Sequence, residues 1–144
     1  MSAVTSAGIG KKLVMALSLL MAIVFAIFAY LQVNDATQYG NHDAWLWILM
    51  YGAMAVFSGC MAFQKMKKGI LLSWMGFCWG CLLFKIQDEH GNIQLDWLRM
   101  DAYWAPESQQ MVQQVNESGG LFILASYATV SIFMDLYLKK TSLH

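Results

Sequence analysis

The sequence predicts an all-α membrane protein: a four-transmembrane-helix bundle with a structured external loop between helices 3 and 4. Three observations predict it. Of the 144 residues, 58% are hydrophobic and only 12% charged, about half the charge of an ordinary soluble domain. Four segments, residues 13–33, 44–63, 69–84 and 119–138, are long apolar runs. Eight of the nine acidic residues fall within 34–43 and 85–118, whereas seven of the nine basic ones sit at the opposite ends of those runs. No repeat or low-complexity tract interrupts the chain, so residues 1–144 are read as a single membrane domain.

The first run, Leu13–Val33, makes about 31 Å of helix, matching a hydrocarbon core of roughly 30 Å. Lys11 and Lys12 precede it as in a secretory signal. The run exceeds the 7–15 residues of a signal's apolar core, however, and no small-x-small cleavage site follows, so it reads as an uncleaved anchor. Asn34–Asp43 is a short loop leading to the second run, Ala44–Phe63, and Gln64–Lys68 a tight turn. The third run, Gly69–Phe84, yields only about 24 Å. It is expected to span by letting Lys68 and Lys85 lay their methylenes along the apolar zone with their ammoniums among the headgroups.

The segment Lys85–Ser118 is too long to be structureless. Ile93, Leu95 and Trp97 alternate within Asn92–Tyr103, and Trp97, Tyr103 and Trp104 suit a membrane interface, which predicts a surface-lying strand or turn. Pro106 opens a helical stretch that continues into the fourth run, Gly119–Leu138, through Gly119 and Gly120, where a kink or a very close contact is expected. Asp135 and Lys139 are spaced for an i,i+4 ion pair.

Orientation follows from the cations. With four crossings, Lys11, Lys12, Lys65, Lys67, Lys68, Lys139 and Lys140 share one side and only Lys85 and Arg99 face the other. The positive-inside rule then places both termini in the cytoplasm, with the chain integral to the cytoplasmic (inner) membrane if the source is bacterial.

Small residues recur at spacings of three or four: Ser18, Ala22, Ala26 and Ala29 in the first helix, Gly52, Ala55, Gly59 and Ala62 in the second, Gly69, Ser73, Gly76 and Gly80 in the third. Such stripes let helices approach closely in lipid. Gly52, Gly59, Gly76, Gly80, Gly119 and Gly120 are therefore the expected helix-packing residues, either inside the bundle or, for one stripe, against a partner subunit.

Cys78-Trp79-Gly80-Cys81 is a C-x-x-C pair in the third helix, a pattern also found in four-helix membrane thiol oxidoreductases. These cysteines lie toward a helix C-terminus, where the dipole disfavours a thiolate, and the external loops carry no cysteine to shuttle electrons. Inert buried thiols are the plainer reading, and the eleven methionines are read as adaptable packing. There is no chain of carboxylates through the spans and no mid-depth cation, which argues against an ion-coupled transporter. Nucleophile–base pairs, Gly-rich phosphate loops and basic nucleic-acid patches are absent from the sequence.

The external side gathers eight carboxylates and two imidazoles. Asp35, His42, Asp43, His90 and Glu117 are the candidate metal ligands, since carboxylates with histidine hold divalent cations. Their spacings fit no zinc or EF-hand pattern, and solvated charge is the plainer account.

Phe28-Ala29-Tyr30-Leu31-Gln32-Val33-Asn34-Asp35, Trp45-Leu46-Trp47, Tyr51-Gly52 and Glu117-Ser118-Gly119-Gly120-Leu121-Phe122-Ile123 resemble the transmembrane protein 220 family, small multi-span membrane proteins of no established activity. The resemblance covers most of the chain. In place of the family's Asp-Pro-Asp-Pro turn stands the longer, proline-free Asp35–Asp43 loop, and the usual Arg-Glu before the glycine is missing. The resemblance implies that Gln32, Asn34, Asp35, Trp45, Tyr51 and Glu117 gather at external helix ends. They form a candidate ligand site, or alternatively a helix-exit turn in which Asn34 and Asp35 satisfy free backbone groups.

Function is read accordingly as a non-catalytic accessory subunit or interaction protein. The first alternative is a membrane enzyme or binding protein holding a cation or lipid headgroup at the carboxylate and Asn site. The second is a thiol redox protein using the C-x-x-C. No cofactor is implied; the expected partners are the lipid bilayer and other membrane subunits, and no nucleic acid.

Overall fold

The structure, a computed structural model, describes residues 3–33, 43–95, 98 and 109–141. Four helices are found among them: α1 (Ala3–Leu31), α2 (Ala44–Ala62), α3 (Lys68–Lys85) and α4 (Gln109–Thr141). Three stretches are long and apolar enough to cross a membrane, Gly8–Leu31, Ala44–Ala62 and Asn116–Tyr137. Helix α3, with 18 residues that include a lysine at each end, is not among them.

The helices outrun the apolar segments that announce them. Helix α1 begins at Ala3 instead of Leu13, because nothing in Gly8–Lys12 breaks it. Helix α4 begins at Gln109, soon after Pro106, and runs unbroken through Gly119 and Gly120. Asp135 Oδ2 accepts a bond from Lys139 Nζ at 2.6 Å, the i,i+4 pair the spacing predicts.

The described contacts fall into two compact units. The first comprises Met1–Leu71 with Ser131–His144. In it α1 and α2 pack along one another. Helix α2 buries Trp47, Met50, Tyr51, Met54, Ser58 and Met61, a seam at helical spacing, and α1 contributes Ser18 and Phe25, both fully buried. Aromatic rings interlock at one end of this seam. The Tyr51 ring lies 5.5 Å from Phe28, 5.6 Å from Trp47 and 6.3 Å from Phe25. Each such pair contributes about 0.5–1.5 kcal/mol beyond its area, and in lipid that attraction counts because excluding apolar surface from water drives nothing. Ser58 satisfies its buried hydroxyl on the Met54 carbonyl at 2.7 Å. Gly10 of α1 lies against the Tyr137 phenol of α4, so that a Cβ there would meet the hydroxyl.

The second unit is Leu72–Val130. Here Trp79 of α3 donates its indole N–H to Thr129 Oγ1 of α4 at 3.0 Å, and Thr129 donates in turn to the Ala125 carbonyl at 2.8 Å. The Trp79 ring meets Phe122 edge to face. An interhelical hydrogen bond between apolar helices contributes about 0.6–2 kcal/mol, so this bond helps hold α3 against α4 within this unit.

Candidate functional site

The chemistry-bearing residues of the second unit lie where α3 ends and the apolar part of α4 begins. Lys85 is the last residue of α3, and its ammonium forms an ion pair with the Glu117 carboxylate. The Lys85 side chain is 37% exposed and that of Glu117 only 8%. A carboxylate so far out of water requires a counter-charge. A lysine at a helix C-terminus can supply one while also facing the negative end of the dipole. The expectation for Lys85 concerns headgroups; what the structure shows is its ammonium on the Glu117 carboxylate.

Immediately after Lys85 the chain makes a tight reversal. Gln87 and Ile93 form an antiparallel bridge. The Asp88 amide donates to the Asn92 carbonyl at 3.0 Å and the Gln94 amide to the Ile86 carbonyl at 2.7 Å. Gly91 closes the turn with φ of 78°, a left-handed conformation costly to residues bearing a Cβ. The Asp88 carboxylate organises the reversal. Its Oδ1 accepts from the His90 amide at 2.9 Å and the Asn92 amide at 2.8 Å, and its Oδ2 from the side-chain amides of Asn92 and Gln94, each at 3.1 Å. The Asn92 backbone amide foremost, then the Asn92, His90 and Gln94 donors, hold the Asp88 carboxyl below its ordinary value. Ile93 lies in this bridged turn with Leu95 just after it, whereas Trp97, Tyr103, Trp104 and Pro106 of the predicted external segment lie outside the described residues.

The remaining candidates are distributed as follows. In the first unit Gln32 is half-buried in the turn after α1, Tyr51 is buried in the aromatic cluster, and Trp45 is exposed. Asp43 is exposed just before α2, its carbonyl accepting the Leu46 and Trp47 amides. Glu117 and the exposed His90 belong to the second unit. Asn34, Asp35 and His42 lie outside the described residues. No three histidine, cysteine or carboxylate groups converge on a metal-sized site among the described residues. Cys78, Cys81 and Cys60 are free thiols, Cys78 being buried. Gly120 is buried and Gly119 half-buried. Gly52 and Gly59 are half-buried, Gly76 and Gly80 exposed, and no described neighbour stands within 4 Å of where a Cβ would lie on any of these four.

Sequence reading missed the Lys85–Glu117 pair and the Asp88 turn. The first had no local signal, since its partners are far apart in the chain. The second carried one: Asp-Glu-His-Gly-Asn is aspartate at a turn's first position and glycine at its fourth.

Three helical stretches of spanning length and apolar composition, with aromatic packing between α1 and α2 and a hydrogen bond from α3 to α4, define a multi-helix integral membrane protein. Residues 24–133 match the family described as Transmembrane family 220, helix, and the chain belongs to that family. No curated protein and no solved structure matches it.

Proposed function

We propose that this protein is a non-catalytic membrane subunit that receives a partner's transmembrane helix on the glycine face of α3. One observation carries the reading: Gly69, Gly76 and Gly80 are exposed and open, with no described residue near them. In lipid a bare glycine face attracts acyl chains no better than any other, whereas a second helix seated there gains close backbone contact. On this reading α3 is a fourth span, shortened to fit by its terminal lysines. The charge partition then places both termini in the cytoplasm and residues 85–118 outside the inner membrane. A cation or headgroup site built from Gln32, Asn34, Asp35, Trp45, Tyr51 and Glu117 has less support, because the Glu117 carboxylate already has Lys85 as counter-charge.

The test is purification in mild detergent at native expression level, with mass spectrometry of retained proteins, for the wild type and for Gly76→Leu and Gly80→Leu. Loss of one specific membrane protein from both variants, with unchanged melting of the chain itself, supports the proposal. Lowered melting with the same proteins retained, or no retained membrane protein in the wild type, refutes it.

A further inference from the structure

We infer that one end of the first unit is a docking surface for anionic phospholipid headgroups, formed by lysines that three separate parts of the sequence bring together. The inference rests neither on a partner subunit nor on α3 crossing the membrane.

Two sets of contacts fix which helix ends coincide. Phe25 and Phe28, near the end of α1, meet Tyr51, near the start of α2. The two helices pack along one another, so they run antiparallel and the start of α1 lies beside the end of α2. Gly10, near the start of α1, lies against Tyr137, near the end of α4. One end of the unit therefore collects Lys11 and Lys12 from α1, Lys65, Lys67 and Lys68 from the chain that follows α2, and Lys139 and Lys140 from the last turn of α4. The Lys65 amide returns to the Cys60 carbonyl at 2.8 Å, which keeps that turn folded against the end of α2.

The charge gathered there is not cancelled by the fold. All seven lysines are exposed. Lys139 is held by Asp135, and among the described residues of this end Asp135 is the only carboxylate side chain. Six ammoniums thus face outward together, and like charges at the surface of an apolar body sum to a positive potential that draws anions.

The neighbours of the lysines say which anion fits. Exposed apolar side chains adjoin each group: Leu13 follows Lys12, Phe63 lies two residues before Lys65, and Leu136 three before Lys139. An ammonium beside exposed hydrocarbon, repeated at three places, complements a phospholipid, with phosphate on the lysines and acyl chains along the apolar side chains. A soluble anion would use only the first half of that surface. A zwitterionic headgroup brings an ammonium of its own towards the lysines, so the lipid that fits carries net negative charge.

The experiment titrates the delipidated full chain, in a non-ionic detergent, with phosphatidylglycerol or with phosphatidylcholine of the same acyl chains, and counts bound lipids by native mass spectrometry. In about 0.1 M ammonium acetate, where charges act over about 10 Å, phosphatidylglycerol should be retained severalfold more than phosphatidylcholine. The preference should fall severalfold in Lys11→Gln with Lys12→Gln, and in Lys65→Gln with Lys67→Gln, and should persist in the matching arginine variants, which keep the charge. Should a glutamine variant fail to accumulate, the wild type in about 1 M ammonium acetate serves in its place, since screening to about 3 Å should lower the preference in the same direction. Equal retention of the two lipids, or a preference unmoved by these substitutions or by salt, overturns the inference. So does a rise in melting temperature with inorganic phosphate equal to that with phosphatidylglycerol, because the apolar half of the surface would then be idle. Failure of the subunit proposal would leave the lipid count untouched.

Discussion

Lys85 and Glu117 make an unequal pair, and the inequality can be measured. Removing Lys85 takes the cation of the pair from a carboxylate whose side chain is 8% exposed, whereas removing Glu117 takes the anion from an ammonium that is 37% exposed. Breaking a buried ion pair by removing one partner costs about 3–5 kcal/mol. A discount applies because the lysine half of the pair is screened by solvent, so Lys85→Met should destabilise the fold by about 2–3 kcal/mol. Glu117→Gln keeps the shape and an acceptor and releases a cation that solvent takes up, for a cost of about 1 kcal/mol. In the double variant the pair is removed whole, so its cost should fall below the sum of the two by about 1–2 kcal/mol. Reversible unfolding in mixed micelles of sodium dodecyl sulfate and a mild detergent, followed by tryptophan fluorescence, gives all four corners of the cycle. Equal costs for the two single variants, or a coupling under about 0.5 kcal/mol, would refute the pair as the tie between α3 and α4.

Two further predictions concern the Asp88 turn and the orientation of the chain. The Asp88 carboxyl is held below its ordinary value by the Asn92, His90 and Gln94 donors. Because the folded value is depressed, the stability this contributes to the turn is complete above the ordinary aspartate pKa of about 3.9 and disappears as pH falls through the lower folded value. The protection factor of the Asn92 amide, exchange taken relative to the intrinsic rate at each pH, should accordingly be flat near neutrality and fall only in strong acid, whereas a loss of protection between pH 5 and 7 would contradict the assignment. For orientation, in a chain whose Cys60, Cys78 and Cys81 are replaced by serine, Gln64→Cys and Ser142→Cys should resist a membrane-impermeant thiol reagent in intact cells while Glu89→Cys reacts. Labelling of position 64 from outside would overturn the orientation.

Local chemistry was enough to establish that the chain lives in a membrane, where three of its spans lie, that α4 begins well before its apolar part, and that Asp135 meets Lys139. Each of these depends on residues adjacent in sequence or one helical turn apart, and hydropathy, a proline and i,i+4 spacing report such relations directly. The faces by which the helices meet were not legible. In a soluble protein the buried face is the apolar one, but α1 and α2 are apolar all round, so several stripes satisfy the helical period and composition cannot rank them. The stripe of Gly52 and Gly59 was as good a candidate as the seam of Trp47, Tyr51, Met54 and Ser58 that α2 buries, and only the packing of rings against Phe25 and Phe28 decided between them. Glu117 shows the same division. Its charge and its place near a helix entry could be read from the chain, but that it is buried, and that Lys85 neutralises it, follow from the side-by-side placement of α3 and α4, which tertiary structure alone supplies.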